Sequence, residues 1–363
     1  PMTQECGWSR TEISGAVSLG GVLAALLSPR LGRYLDKAGA RTVLCTVILL
    51  TGTANGLLSL TVSLPMFYLL FCVARTNFAG PFDLGIYGAV AQWFVARRGF
   101  ATSVATLGGT FGLMVLPVVA QTAMGFGGWR AGWLAVAATV LTVGFLPVFL
   151  LLVGKPEDVG LVPDRADPSA AAAAEPESFT RAEALRTPAF WLLSAFTVLV
   201  YPVQAGISLH QAPFLIERGL SPTGAAAVVG TFSVFSGIAS MGFGLTPRWV
   251  SVRMRLAAVG LLGGAGAALL LSVHGTAMAY AAVAVFGFGI GGLLTMLPIA
   301  WADYYGRRSY GAIRGVALSV QVLSQAAGPL ISGVLRDATG TYDMPIAVMA
   351  CMAAIGGLVG MAA

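Results

Sequence analysis

Arg98-Gly99-Phe100-Ala101-Thr102-Ser103 returns as Arg314-Gly315-Val316-Ala317-Leu318-Ser319, a second copy of the same R-G-x-A-x-S pattern. Each copy follows a basic cluster and opens a long apolar run. A constant offset, the one that carries Arg98 onto Arg314, divides the chain into two parallel halves of hydrophobic helices, the trace of an internal duplication.

Composition identifies the solvent. Hydrophobic residues make up 57% of the chain, charged residues 10%, and mean hydropathy is +0.82. No single soluble core could bury that much apolar surface. Apolar runs of the ~20 residues needed to cross a bilayer recur along the chain. They fall near 11–31, 42–63, 66–90, 100–124, 129–153, 188–210, 223–247, 256–273, 276–301, 315–335 and 344–362. The net charge of +6 does not point to nucleic acid, because the basic residues stand singly or in pairs between apolar runs. Cys6, Cys45, Cys72 and Cys351 are scattered and suggest neither a disulfide framework nor a metal site. No cofactor is expected.

The offset between the two copies maps every run onto a partner except 188–210, whose counterpart falls upstream of Pro1. The expectation is an all-α membrane protein of two six-helix bundles built as parallel repeats. Its first helix is absent, so eleven spans are visible, numbered here second to twelfth. The expected domains are 1–153 (spans two to six), a cytoplasmic linker at 154–187, and 188–363 (spans seven to twelve). The linker carries Lys155, Glu157, Asp158, Asp164, Asp167, Glu175, Glu177 and the alanine run Ala170–Ala174, a solvated composition. With the loop at 32–41 cytoplasmic, fifteen Lys and Arg residues, among them Arg165, Arg248 and Arg314, fall on that side against four opposite. Trp93, Trp129, Trp191 and Trp249 mark span ends and read as interfacial anchors.

Gly32-Arg33-Tyr34-Leu35-Asp36-Lys37-Ala38-Gly39-Ala40-Arg41 joins spans two and three. It resembles the signature loop of the major facilitator superfamily, keeping its Gly, Asp, Gly and final basic positions. The gating expectation rests on Gly32, Asp36, Gly39 and Arg41, with Arg97 and Arg98 ahead of the fifth span. Asp36 can meet a helix N-terminus or a neighbouring arginine, a contact able to break as the halves rock. The equivalent loop, Arg248 to Arg255, lacks both the Asp and the glycines, so the gate is expected to be asymmetric.

Arg75 and Asp83 are the charges lying deep within an apolar run, both in the fourth span. A charge at that depth is expensive and marks a cavity, a relay or an internal ion pair. Arg75 followed by Gly80 resembles the superfamily's Arg/Gly pattern in this helix, with Pro81 a candidate kink. Arg75, Asn77 and Asp83 are candidate binding or coupling residues here. Tyr201, Gln204, His210 and Gln211 are candidates on the seventh span. Gln321 and Gln325 are candidates on the eleventh, one turn apart and sharing a face. Gly287, Gly289, Gly291 and Gly292 form no dinucleotide motif and read as close helix packing.

Several longer strings carry a narrower resemblance. Gly7-Trp8-Ser9-Arg10, Lys155 to Leu161, Glu183 to Trp191, His210-Gln211, Tyr305 to Gly315, Gly328-Pro329 and Asp337 to Asp343 resemble bacterial members of the monocarboxylate transporter and oxalate–formate antiporter branch. That resemblance implies secondary transport of a small organic solute, most simply a monocarboxylate, by alternating access with proton symport or solute exchange. It implies a multi-pass protein of the bacterial inner (plasma) membrane. The partners would be an organic anion, a proton or counter-solute and the lipid bilayer, with no nucleic acid and the protein acting as a monomer. Relatives place a basic residue in the eighth or eleventh span. Here neither Gly224–Leu245 nor Gly315–Leu335 contains Lys, Arg or His. The alternatives are an exporter of drugs or metabolites and a non-transporting sensor on the same fold. An enzyme is not expected, because the spans hold no paired carboxylates, metal-ligand cluster or nucleophile–base pair.

Overall fold

A backbone in hydrocarbon must satisfy its own hydrogen bonds, and an apolar run of this length does so as a helix. The computed structural model describes residues 2–164, 178–247 and 249–363. Each apolar run falls on a helix, and among the described residues the only β-type pairing is a single parallel bridge between Phe94 and Asp164. Of the expected linker, Arg165, Asp167, Glu175, Glu177 and Ala170–Ala174 lie outside the described residues, as does Arg248 of the topology reading.

The helices are α1 (Met2–Cys6), α2 (Arg10–Leu58), α3 (Leu64–Asn77), α4 (Asp83–Trp93), α5 (Arg98–Thr139), α6 (Leu146–Leu151), α7 (Arg181–Ala184), α8 (Pro188–Glu217), α9 (Pro222–Gly244), α10 (Val252–Leu271), α11 (Thr276–Tyr305), α12 (Tyr310–Thr339) and α13 (Asp343–Ala362). Two are double-length, and glycine divides each. Gly39 (φ 79°) breaks α2 between the second and third spans. Gly127 and Gly128 (φ 63°) break α5 between the fifth and sixth. The stretch expected as a loop at 32–41 is therefore helical up to that glycine. Pro81 sits in a π-turn, Phe78–Phe82, that joins α3 to α4 without a gap, so the ring is absorbed by one wide turn.

One compact unit comprises residues 1–96, 108–181 and 305–322. In it α2 lies along α3, bonded by a side-chain ladder. Tyr68, Cys72 and Thr76 recur once per turn and donate to the carbonyls of Glu12, Ala16 and Gly20, at 2.6, 3.5 and 3.1 Å. One polar stripe thus meets another turn by turn, as helices do where lipid supplies no hydrophobic drive. Trp129 departs from its expected interfacial role. It is 5% exposed and donates from Nε1 to Glu5 at 2.7 Å, with the Arg130 guanidinium 4.2 Å from its ring centroid.

The other unit comprises 97–107, 182–304 and 323–363. Here α13 packs on α10 and on α8, and small residues set the spacing. A Cβ on Gly289 would lie 2.5 Å from the Gly263 nitrogen, and one on Gly291 would collide with the Ser236 carbonyl oxygen. The glycines of the tenth span are therefore packing residues. Replacing Gly291 with Val is expected to cost about 1–3 kcal/mol by forcing the α9–α11 backbones apart. Gly230→Ala, where a Cβ meets nothing within 4 Å, is expected to be neutral or slightly stabilising. Thermal unfolding of the detergent-solubilised protein separates them. Equal melting points would contradict this packing.

Candidate functional site

The repeated hexapeptide builds the same local device in each unit. In the first, Gly315 of α12 crosses α2, where a Cβ would lie 2.5 Å from the Ser28 carbonyl oxygen. In the second, Gly99 of α5 crosses α9, where a Cβ would collide with the Gly244 carbonyl oxygen. Ser28 and Gly244 are themselves related by the offset that carries Gly99 onto Gly315. One turn on, Ser319 donates to Ala25 O at 2.5 Å, and Ser103 donates to Ser240 O at 2.9 Å. Ahead of each glycine the arginine is buried in an ion pair. Arg314 meets Asp83 at 3.2 Å, with side chains 1% and 24% exposed. Arg98 meets Asp303, with side chains 9% and 33% exposed.

Arg314 corrects the sequence reading, which placed it among cytoplasmic loop residues and found no basic residue in the eleventh span. It sits in the first turn and a half of α12, and its Nη2 also donates to Gln321 Oε1 at 2.7 Å. Gln321 and Gln325 consequently serve different partners, for Gln325 Nε2 donates to Gln204 Oε1 at 3.0 Å in the other unit. Arg314 and Asp303 are the site residues that sequence reasoning missed. The signal was the repeat itself: an arginine matched at both copies marks a shared structural task more than a topology determinant.

Asp36 meets a helix N-terminus, one of its two expected partners. Its carboxylate accepts from Gly311 N at 2.8 Å and Ala312 N at 2.7 Å, on the opening turn of α12. A carboxylate there satisfies amides with no intrahelical acceptor and sits at the positive end of the helix dipole. Gly32 makes this approach possible, since a Cβ on it would collide with Gly311 O. Arg41 donates to Phe149 O at 2.7 Å and lies 5.6 Å from that ring's centroid. Arg97 is engaged in contacts of its own.

Arg75 is placed differently from the other deep charges. Its stem lies on Gly20, where a Cβ would come within 2.7 Å, and its guanidinium is 5.9 Å from the Phe78 ring centroid. Among the described residues no carboxylate pairs with it. Two positions on, Asn77 is 9% exposed and its amide nitrogen finds no acceptor there. A cation and an unused donor at the end of one helix suit a carboxylate. On α8, Tyr201 and Gln211 are both 2% exposed, and Gln211 Nε2 has no described acceptor. His210 Nδ1 lies 3.4 Å from the Tyr342 hydroxyl, with the rings 5.4 Å apart. No group of His, Cys, Asp and Glu among the described residues has metal-site geometry.

A sequence model described as Major Facilitator Superfamily matches residues 1–329. Human monocarboxylate transporter 11 is 28% identical over 270 residues, covering 70% of this chain and 54% of that protein. The mouse protein of the same name is 26% identical over 268 residues, covering 70% and 57%. The chain thus spans about half the length of the curated relatives it matches. Among solved structures, the human organic anion transporter MFSD10 (TETRAN) superposes with a TM-score of 0.76 at 15% identity, covering 99% of this chain and 87% of that one. The E. coli fucose:proton symporter FucP gives 0.72 at 12% identity, covering 96% and 90%. At these identities the two structures establish a shared fold.

Removing one member of the Asp83–Arg314 pair leaves a buried charge without its partner, which is expected to cost about 3 kcal/mol or more. Asp83→Ala should therefore melt well below the parent, and Asp83→Asn combined with Arg314→Gln should recover at least half of the loss. Strict additivity of the two substitutions in thermal denaturation would show that the pair contributes no coupling.

Proposed function

Because the chain belongs to the Major Facilitator Superfamily, a family of integral, multi-pass membrane transporters of small solutes, we propose that it carries a small organic anion, most simply a monocarboxylate. It does so by alternating access between two helical halves, 1–153 (spans two to six) and 188–363 (spans seven to twelve), joined through 154–187. It works as a monomer in the bacterial inner membrane, driven by proton symport or exchange for a second solute. The observation that carries this reading is Arg75, a cation inside an apolar span with no carboxylate pairing with it among the described residues. A cation at that depth needs a counter-charge, and a substrate carboxylate supplies one. Asn77 adds a second donor on the same helix end, and Phe78 presents an apolar ring for the rest of the solute. The names of the relatives agree with this chemistry, being a monocarboxylate and an organic anion transporter.

Coupling is assigned to Asp83. Its carboxylate pairs with Arg314 in the opening turns of α12, so protonating it removes the charge holding that arginine and links proton uptake to a rearrangement there. Asp36 on the α12 amides, with the paired arginines Arg98 and Arg314, forms the gate that must open for the halves to rock. Tyr201, Gln204, His210, Gln211 and Gln325 contribute polar groups from the other half.

The test is flux in proteoliposomes with and without a pH gradient, using labelled monocarboxylates, a dicarboxylate and a neutral solute. Arg75→Gln is expected to raise KM for the monocarboxylate about 10- to 100-fold, the equivalent of one charge-assisted hydrogen bond. Asp83→Asn is expected to abolish accumulation driven by the pH gradient while leaving exchange of labelled for unlabelled solute. Uptake of the neutral solute alone, unaffected by Arg75→Gln, would refute the anion reading. Extrusion driven by an inward proton gradient would favour an exporter. Ligand binding without any flux would favour a sensor.

A further inference from the structure

The linker, expected from composition as a solvated tether, is tied down over residues 154–164. Trp93 donates from Nε1 to Val153 O at 3.0 Å. Pro156 and Pro163 are buried, and Gly160 (φ 71°) turns the chain between them. Asp164 N donates to Trp93 O at 3.2 Å, and Ala96 N donates to Asp164 O at 3.2 Å, closing the parallel bridge opposite Phe94. Glu157 reaches Arg307 at 2.6 Å. Partial burial pushes the Glu157 carboxyl up, but the Arg307 hydrogen bond and charge, with Lys155, hold it below the ordinary glutamate value. The clasp is therefore charged at neutral pH.

The Asp164 carboxylate does something more specific. It accepts from Val95 N and from Ala96 N, the latter at 3.1 Å. Those two amides lie in the turn just ahead of α5. The offset that carries Arg98 onto Arg314 carries Val95 and Ala96 onto Gly311 and Ala312, the two amides that Asp36 holds ahead of the second R-G-x-A-x-S copy. The same pair of backbone donors, in the two repeats, is thus met by a carboxylate in both cases. The carboxylates themselves are not related by the repeat. The position equivalent to Asp36 is Val252, which can accept no hydrogen bond through its side chain.

We propose that Asp164 is a positioning residue of the transport cycle, supplying to the turn ahead of α5 the carboxylate that Asp36 supplies to the opening turn of α12. The second repeat holds Val252 where the first holds Asp36, and the linker supplies a carboxylate from another place in the chain. Charge-assisted hydrogen bonds to two successive amides fix the backbone of the turn from which the chain enters the repeated motif. Glu157, bound to Arg307, holds the linker against the neighbouring α11–α12 turn, so the segment clasps both turns that precede that motif.

This inference rests on the transport reading above, and two measurements keep them apart. The first is hydrogen exchange of the full chain in nanodiscs, which needs no solute. Asp164→Ala is expected to speed exchange at residues 94–97 about tenfold or more, and Asp36→Ala is expected to do the same at 310–313. Asp164→Asn, which keeps one acceptor oxygen, should recover part of the protection. The second is flux. Asp164→Ala is expected to lower kcat by a factor within threefold of that for Asp36→Ala, with KM within twofold of the parent. Exchange at 94–97 that stays within twofold of the parent overturns the inference. So does a normal kcat in Asp164→Ala where Asp36→Ala is impaired. A parent protein that carries none of the solutes instead overturns the transport reading, and the exchange result still decides whether Asp164 holds that turn.

Discussion

Two of the places where helices meet backbone to backbone organise the two copies of the repeated hexapeptide. At Gly315 on Ser28, and at Gly99 on Gly244, there is no room for a side chain. Close approach of this kind brings the dispersion and carbonyl contacts on which helices rely in lipid, where exclusion from water offers no help. It also delivers the neighbouring groups into reach. The serine one turn along finds a carbonyl on the crossed helix, and in the first unit the amides of α12 arrive at Asp36. A larger residue at either glycine would displace the neighbouring contacts of its own unit together, which is why each hexapeptide behaves as one element of structure.

The buried charges follow from the same constraint. An isolated arginine within a span is costly, and each copy of the motif brings one. Asp83 and Asp303 answer them, and the pairing is crossed: each acid stands on the helix that precedes the other copy of the motif in the chain. The two acids lie at related but not identical places. The offset between the copies carries Asp83 to Ile299, one helical turn short of Asp303. Neutralisation is thus retained although the register has moved. The Asp83 pair is the drier on its arginine side and is reinforced by Gln321. That makes it the better candidate for a pair whose state has consequences beyond its own stability.

Much of this was legible in the sequence, and the exceptions have identifiable causes. Hydropathy located the helices, because lipid imposes length and apolarity on each one independently of its neighbours, and each apolar run lies on a helix. Asp36 was legible because its partner class, a helix N-terminus, follows from the local pattern. Arg314 was misread because a run-by-run hydropathy scan ends a span at the first charge, whereas the helix starts at Tyr310 and carries that charge inside. Its partner is 231 residues away, a separation no local rule spans. The pairing of Gln321 and Gln325 with different partners was equally hidden. A shared helical face specifies direction, not which neighbour lies there, and α12 passes from one compact unit to the other between these two residues.

Asp164 shows why composition alone underestimates a linker. Proline, aspartate and glutamate in a polar stretch ordinarily signal chain too hydrophilic to fold by burial. The same residues are also those that order a segment without a core: prolines reduce the entropy to be lost, Gly160 allows the left-handed turn, and carboxylates find backbone amides. Turns between membrane helices leave backbone amides without a helical partner, and these need an acceptor from elsewhere. In a duplicated protein the requirement exists twice, whether or not the residue that meets it survives in both copies. Where Val252 stands in place of an acid, some other acceptor has to serve the amides of Val95 and Ala96, and the linker brings Asp164 to them.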